Sequence, residues 1–397
     1  MRHRSDRSLV VGREYFVARL EQALMRRIEL TRPATADVAV LSRNLELWPV
    51  LREVVDGWRV IEVETIQPPV RLFDVAGIIR TMQQGASLGY ASIAARIRAS
   101  GAKVLVAVDQ TAEVIEELGR LIPEMYQIVI AHGSQRPENL LKHLRIESRS
   151  KRILCVWGQS DVDTYRRTLG SSLDCYPVGS LRNAGYLRRY TSPSSRSETQ
   201  SILLVSQYAG AREDEPSHSK RSAMLMTLKN YVRRYCLTSS SPLVVALRPP
   251  ASAPQAPGQL AEERRHYERM FEGVSLRFTD PSKLYSTYIA SDEADVTIGV
   301  PSGALTESFA RGNKVLMFRQ TPSSGTYYGF PVEGDWLLTE PSYEEFSKRL
   351  DLLRTANREQ CASQWSASRE YVVANAESDA PIMLVRDLVA RALHGAI

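Results

Sequence analysis

The sequence predicts an α/β protein made of two doubly wound parallel sheets. Three observations carry that expectation. Short apolar runs alternate with helical stretches at the spacing of strand-helix-strand units. The alternation stops at a polar seam, Tyr190-Thr-Ser-Pro-Ser-Ser-Arg-Ser-Glu-Thr-Gln200, and then restarts. At 397 residues the chain also exceeds what one hydrophobic core usually serves.

The elements follow in order. Asp37-Val-Ala-Val-Leu41 and Trp58-Arg-Val-Ile-Glu-Val63 read as strands, and a helix-like run crosses Val75–Ile93. Val104-Leu-Val-Ala-Val108 is a third strand, ending at Asp109. A helix at Glu113–Leu121 leads to the strand Gln127-Ile-Val-Ile-Ala131, which ends at His132-Gly133. Arg152-Ile-Leu-Cys-Val-Trp157 ends at Gly158. After the seam come the strand Ser201–Ser206, a helix over Lys220–Tyr235 and the strand Leu243–Leu247. Pro249–Gly258 is a Pro/Ala-rich loop, followed by Ser275–Phe278 and a helix at Leu284–Ser291. From Tyr343 onward the spacing is helical almost throughout. The expected division is an N-terminal domain over 1–190, a linker over 191–200, a C-terminal domain over 201–375 and a final helical segment over 376–397. Two such halves make a cleft, and in open parallel sheets ligands sit outside the carboxyl ends of the strands.

Apolar content of 43% and charged content of 24% are ordinary for a globular protein. No apolar run approaches the length of a membrane helix, and the N-terminal apolar patch Leu9-Val-Val is too short for a signal peptide, so a cytoplasmic protein is expected. Cys155, Cys175, Cys236 and Cys361 are widely spaced, which indicates neither a zinc site nor a disulfide framework. The net charge of +6 is concentrated in the middle third, from Lys142 to Arg234. A solvated surface accounts for most of it. The sharper alternative is peripheral contact with an anionic membrane surface, or attraction to a phosphorylated acceptor. No aromatic-interleaved basic module is present, so no nucleic-acid partner is expected.

Chemistry concentrates at strand ends. In Ala294–Phe318 a strand through Val296, Ile298 and Val300 breaks at Pro301-Ser302-Gly303, a helix carries Glu307, Gly312-Asn313 stops it, and Val315 begins the next strand. A helix that starts at a strand's carboxyl end presents unpaired N–H groups and a positive dipole end, which suits a nucleotide diphosphate. Ser302 also reads simply as an N-cap, and Glu307 as a surface residue. His132, directly after a strand and before Gly133, could take a proton from an attacking hydroxyl, because imidazole titrates near neutral pH; it reads equally as a backbone-bonding histidine. Asp109 is the competing base and also an N-cap candidate. Arg248 follows a strand and can bind phosphate bidentately. Ser206-Gln207 is the fourth strand-end signal. The motifs of a P-loop, of a dinucleotide dehydrogenase and of a nucleophile elbow are all missing. Asp161-Val-Asp163, the sole D-x-D, is expected to cap a helix at Thr164–Leu169 rather than to hold a metal.

The order Val104–Asp109, Ile130-Ala-His-Gly133, Val156-Trp-Gly158, Val178-Gly-Ser-Leu-Arg-Asn183, Ile202–Gln207 and Asp295…Ser302-Gly303…Glu307…Gly312…Lys314-Val-Leu316 resembles bacterial surface-carbohydrate biosynthesis proteins, of O-antigen and capsule, of the GT-B glycosyltransferase type. It spans roughly residues 100–355; Gly329-Phe330, Gly334-Asp-Trp336 and Tyr343–Phe346 also look like the C-terminal part of those proteins. The resemblance implies two Rossmann-like domains facing a cleft, with the nucleotide sugar on the C-terminal domain and a glycan or lipid-linked acceptor on the N-terminal one. It implies metal-independent transfer without a cofactor, in which positive charge and helix dipoles meet the departing phosphate. Carried over, Ser302 and Gly303 meet phosphate, Glu307 the ribose, Arg248 the leaving group, and His132 acts as base. The final helix, Ala380–Leu393, would cross back onto the N-terminal domain. A CMP-linked donor remains open. The segment Phe318–Gly325 lacks the acidic, arginine-rich signature of the epimerases sharing this fold, which leaves an epimerase, or a non-catalytic nucleotide-sugar-binding protein, as the alternatives.

Overall fold

A computed structural model of the protein describes residues 28–29, 33–41, 47–63, 70–71, 75–108, 112–133, 151–169, 174–190, 199–208, 219–247, 258–319 and 332–396. A short parallel pair joins β1 (Ile28–Glu29) to β4 (Val70–Arg71). The N-terminal sheet comprises β2 (Val38–Leu41), β3 (Val60–Val63), β5 (Val104–Val108), β6 (Tyr126–Ile130), β7 (Arg152–Val156) and β8 (Asp174–Pro177), in the order β3-β2-β5-β6-β7-β8. The C-terminal sheet comprises β9 (Thr199–Val205), β10 (Leu243–Ala246), β11 (Leu276–Phe278), β12 (Ala294–Gly299), β13 (Val315–Arg319) and β14 (Leu337–Thr339), in the order β11-β10-β9-β12-β13-β14. Every pairing in both sheets is parallel. This is a two-lobed α/β fold of the GT-B type.

The strands are apolar on both sides because helices cover both faces. Side chains alternate across the N-terminal sheet: Ala39, Leu41, Leu105, Ala107, Val129 and Leu154 face one core, with Ile97 and Ile115 from the helices Leu88–Ser100 and Ala112–Leu121. Val38, Val40, Val104, Val106, Ile128 and Ile153 face the other. That second core is completed by the helix Ala380–Leu393, through Ile382, Val385, Leu388 and Val389. The chain therefore returns to the N-terminal lobe after leaving the C-terminal one. Two glycines make room for the return. A Cβ on Gly158 would lie 2.4 Å from the Val372 carbonyl oxygen, and one on Gly179, at φ +100°, would lie 2.3 Å from that of Ala374.

The strand order reverses between β2 and β5 in one sheet and between β9 and β12 in the other. Such switch points open crevices at the strands' carboxyl ends. Ser206 and Ser302 flank the C-terminal crevice, and His132 follows β6, one strand from the N-terminal one.

Two expectations need correction. The run 75–93 is two helices, Val75–Gln83 and Leu88–Ser100, because Gly85 turns left-handed at φ +87° and the Ser87 hydroxyl caps the second helix by accepting from the Tyr90 amide. The helix expected at Thr164–Leu169 begins at Gln159, so Asp161 and Asp163 lie inside it. Asp161 accepts from the Trp157 amide at 3.2 Å, and Asp163 from Gln159 at 2.8 Å and Tyr371 at 3.0 Å. Edge strands β8 and β14 lack a readable apolar run. Asp109, Arg248, residues 191–198 of the linker, residues 249–257 of the Pro/Ala-rich loop, and Gly329-Phe330 lie outside the described residues.

Candidate functional site: the facing strand ends of the two lobes

The N-terminal wall is built from three strand ends. β6 runs into Ala131-His132-Gly133, where the Trp157 indole N–H, one residue past β7, donates to the Ala131 carbonyl at 3.2 Å. Beyond β8, Ser180 caps the helix Leu181–Arg189, accepting from the Asn183 amide at 3.2 Å and placing Arg182 in the first turn. Half-buried His132 lines a narrow crevice, too tight for a water molecule, with Leu47, Ala131, Ser180, Leu181 and Arg182.

The C-terminal wall starts where β12 gives way to Val300-Pro301-Ser302. The Ser302 hydroxyl accepts from the Leu305 amide at 3.4 Å and caps the helix Gly303–Ala310. The N-terminal lobe closes tightly on Gly303: a Cβ there would stand 3.2 Å from Arg182 Nη2 and 3.4 Å from the Trp157 ring. Trp157 directly follows the N-terminal sheet's strand β7, yet its side chain packs into the core of the C-terminal lobe. Arg182 thus lies beside Gly303 on one side and lines the His132 crevice on the other.

Glu307 takes a different place from the one its spacing implied. Its side chain is 0% exposed and faces the other lobe. Arg182 Nη2 donates to it at 2.9 Å, the Tyr288 hydroxyl at 2.5 Å, and the Ser180 hydroxyl also donates. The Tyr288 phenol is held well above its ordinary range, first by burial and then by the Glu307 carboxylate, against the lowering effect of Arg182. It therefore stays protonated and can serve as a donor. With three donors engaged, Glu307 fastens the lobes together.

A second buried cluster extends the contact. Asp292, 2% exposed, accepts from Arg311 at 3.1 Å, Asn313 at 2.8 Å and Tyr186 of the opposite lobe at 2.6 Å. Arg311 Nη1 donates to Asn183 at 2.9 Å, and Asn183 donates to the Ala376 carbonyl at 2.6 Å. Burial alone would lower the Arg311 guanidinium; Asp292, Tyr288, Tyr186 and Glu307 outweigh it and raise it. Buried charge is tolerated here because each ion has several partners.

Ser206 is likewise engaged within its own lobe. Its hydroxyl donates to buried Glu263 and accepts from Tyr267 at 2.9 Å and from the Tyr208 amide at 3.3 Å. This ties the exit of β9 to the helix Gln259–Met270 and leaves half-buried Gln207 between two anchored neighbours. The structure thus brings His132, Ser302 and Gly303 into one neighbourhood through Arg182, and sets Ser206 and Glu307 apart in internal networks. Arg182, Ser180 and Trp157 were not picked out as site residues from the sequence. The signal was available: Val178-Gly-Ser-Leu-Arg-Asn183 has a strand end, a glycine and a capping serine before an arginine.

No protein-family model and no curated protein matches this sequence. Solved structures do share the fold. The wall teichoic acid polymerase TagF aligns with a TM-score of 0.52 at 12% identity, over 90% of this chain and 89% of that one. The UDP-GlcNAc 2-epimerase of Methanocaldococcus jannaschii, in complex with UDP-GlcNAc and UDP, aligns with a TM-score of 0.51 at 10% identity, over 89% and 99%.

Proposed function

We propose that the protein is a glycosyltransferase that moves a sugar from a nucleotide sugar to a glycan or lipid-linked acceptor of surface-polysaccharide assembly. One observation carries the reading: the capped helix start at Ser302-Gly303 and the Arg182 guanidinium approach each other from opposite lobes, beside the narrow crevice that His132 lines. A helix N-terminus and a guanidinium together suit a diphosphate, and an imidazole close by suits the removal of a hydroxyl proton. The fold shared with the epimerase that binds UDP-GlcNAc and UDP supports a nucleotide-sugar donor.

In this reading Ser302 and Gly303 meet the diphosphate on the C-terminal lobe, with Gln207 and Gly133 at the rims. His132 takes the acceptor hydroxyl's proton, the hydroxyl oxygen bonds to the anomeric carbon, and that carbon's bond to the diphosphate breaks. Arg182, with Arg248 as the second candidate, meets the charge left on the departing phosphate. Asp109 is the alternative base. Glu307 and Ser206 are assigned to holding the lobes and the β9 exit in place of substrate contact. No helix among the described residues is long and apolar enough to cross a membrane, so a lipid-linked acceptor would be met at the surface. Incubation with labelled nucleotide sugars, with and without membrane lipids, tests the reading. Nucleotide released only with acceptor supports transfer; interconversion of the sugar without acceptor favours the epimerase alternative; binding without turnover favours a binding protein.

A further inference from the structure

At the other end of the N-terminal sheet from the cleft lies a pocket of about 600 Å³. Lys103 precedes β5, Tyr126 opens β6 and Lys151 precedes β7. These three strands are neighbours, so the two lysines stand on either side of Tyr126. Backbone bonds fix that placement: the Tyr126 amide donates to the Lys103 carbonyl at 3.1 Å, and the Gln127 amide to the Lys151 carbonyl at 2.8 Å. The opposite wall is the end of the helix Leu88–Ser100, with Ile97 and Arg98, and the last turn of the helix Ala380–Leu393. Ile97, Ile122, Met125 and Ala392 line it as buried apolar surface.

The charge in this pocket is unbalanced. Arg98, Lys103 and Lys151 face one carboxylate, Glu124. The Lys151 ammonium lies 4.5 Å from the centre of the Tyr126 ring and 3.4 Å from its hydroxyl, with no carboxylate in ion-pair range among the described residues. Lys103 helps to lower the Asp37 carboxyl, which the Arg59 guanidinium already grips through hydrogen bonds of 3.0 and 2.6 Å. Among the described residues, then, neither lysine has a carboxylate in ion-pair range, and both border the apolar floor.

The geometry points to a binding site for a small organic anion that carries an apolar group, such as the phosphate monoester of an alkyl or aryl alcohol. The volume falls within the roughly 300–1,000 Å³ of small-molecule pockets. The apolar floor takes the hydrocarbon part, the two lysines take the oxyanion, and the Tyr126 hydroxyl can orient it. The concavity favours one discrete molecule over a bilayer face. Because it opens at the amino ends of the strands, this site is separate from the cleft and independent of the nucleotide reading.

Calorimetric titration of the full chain with hexyl phosphate, inorganic phosphate and hexanol tests it. Hexyl phosphate should bind saturably and at least ~10-fold tighter than either fragment alone, since both halves of the site contribute. Lys103→Glu/Lys151→Glu should weaken it by at least ~10-fold with an unchanged melting temperature, and the milder Lys103→Gln/Lys151→Gln should follow the same direction. Leu393→Asn should weaken hexyl phosphate and leave inorganic phosphate unchanged. Lys348→Glu, an equal kind of charge change on the other lobe, should have no effect. Equal binding of hexyl and inorganic phosphate, or equal loss in the Lys348 variant, would overturn the site. So would failure of hexyl phosphate to bind while vesicles of phosphatidylglycerol in phosphatidylcholine sediment the protein through Lys103 and Lys151.

Discussion

Replacing Glu307 by Gln isolates the contact between the lobes. The substitution keeps the size of the side chain and removes its charge. The carboxylate now takes Arg182, Tyr288 and Ser180 in a fully buried position. An amide has one acceptor oxygen for these donors, and its own NH₂ must face at least one of them. Hydrogen bonds to charged groups contribute about 1.5–3 kcal/mol each, and breaking a buried pair costs about 3–5 kcal/mol. Arg182 keeps 22% of its side chain exposed and can recover some solvation, so the low end, about 3 kcal/mol, is the expected loss. With an unfolding entropy of about 2.1 cal/mol/K per residue over 397 residues, Tm falls by about 4 °C if the lobes melt together. Urea and thermal unfolding of Glu307→Gln, Arg182→Met and the double variant measure this, and the cycle should return a coupling of about 2 kcal/mol. An unchanged Tm with additive single effects, combined with weakened nucleotide binding, would refute the lobe contact and return Glu307 to the ribose.

Three further outcomes follow from named contacts. His132→Ala should spare donor binding and slow turnover by about 10²–10⁴-fold, as loss of a general base does; an unchanged kcat would move that role to Asp109. Gly179→Ala places a Cβ 2.3 Å from the Ala374 carbonyl at φ +100°, so a loss of about 3 kcal/mol or more is expected in urea unfolding, and a neutral result would contradict the packing of the returning segment. Hydrogen bonds from Arg59 hold the Asp37 carboxyl down to about 2, against about 3.9 for an unfolded chain. Its stabilisation is therefore present above pH ~4 and disappears as pH falls from ~4 to ~2, so the urea midpoints of the wild type and Asp37→Asn should converge near pH ~2.

The sheets were legible because a buried parallel strand is apolar on both faces: Val104–Val108 and Ile128–Ile130 admit few other readings. The break between the helices Val75–Gln83 and Leu88–Ser100 was not. Apolar spacing continues through it, and only the left-handed turn at Gly85 and the Ser87 cap interrupt the chain. At the site, the helix start at Ser302-Gly303 followed from strand-end chemistry, which is local. The partners of Glu307 did not, since Ser180 and Arg182 are 127 and 125 residues away and meet it only when the lobes dock. Spacing within one helix shows where a carboxylate sits on its own element and nothing of what stands opposite. The partners of Ser206 were hidden for the same reason, because Glu263 and Tyr267 reach it from a helix that begins more than fifty residues later.

The central claim, that the cleft takes a nucleotide sugar with its phosphate at Ser302-Gly303, is tested most directly by binding. Thermal shift with CMP, UDP, GDP and dTDP, on the wild type and on Ser302→Trp, measures it. The account predicts that one of these stabilises the wild type saturably, by about 2.7 kcal/mol at a hundred times its Kd, and that Ser302→Trp abolishes the shift while keeping the fold. No shift with any of the four, or an equal shift in both proteins, would contradict it.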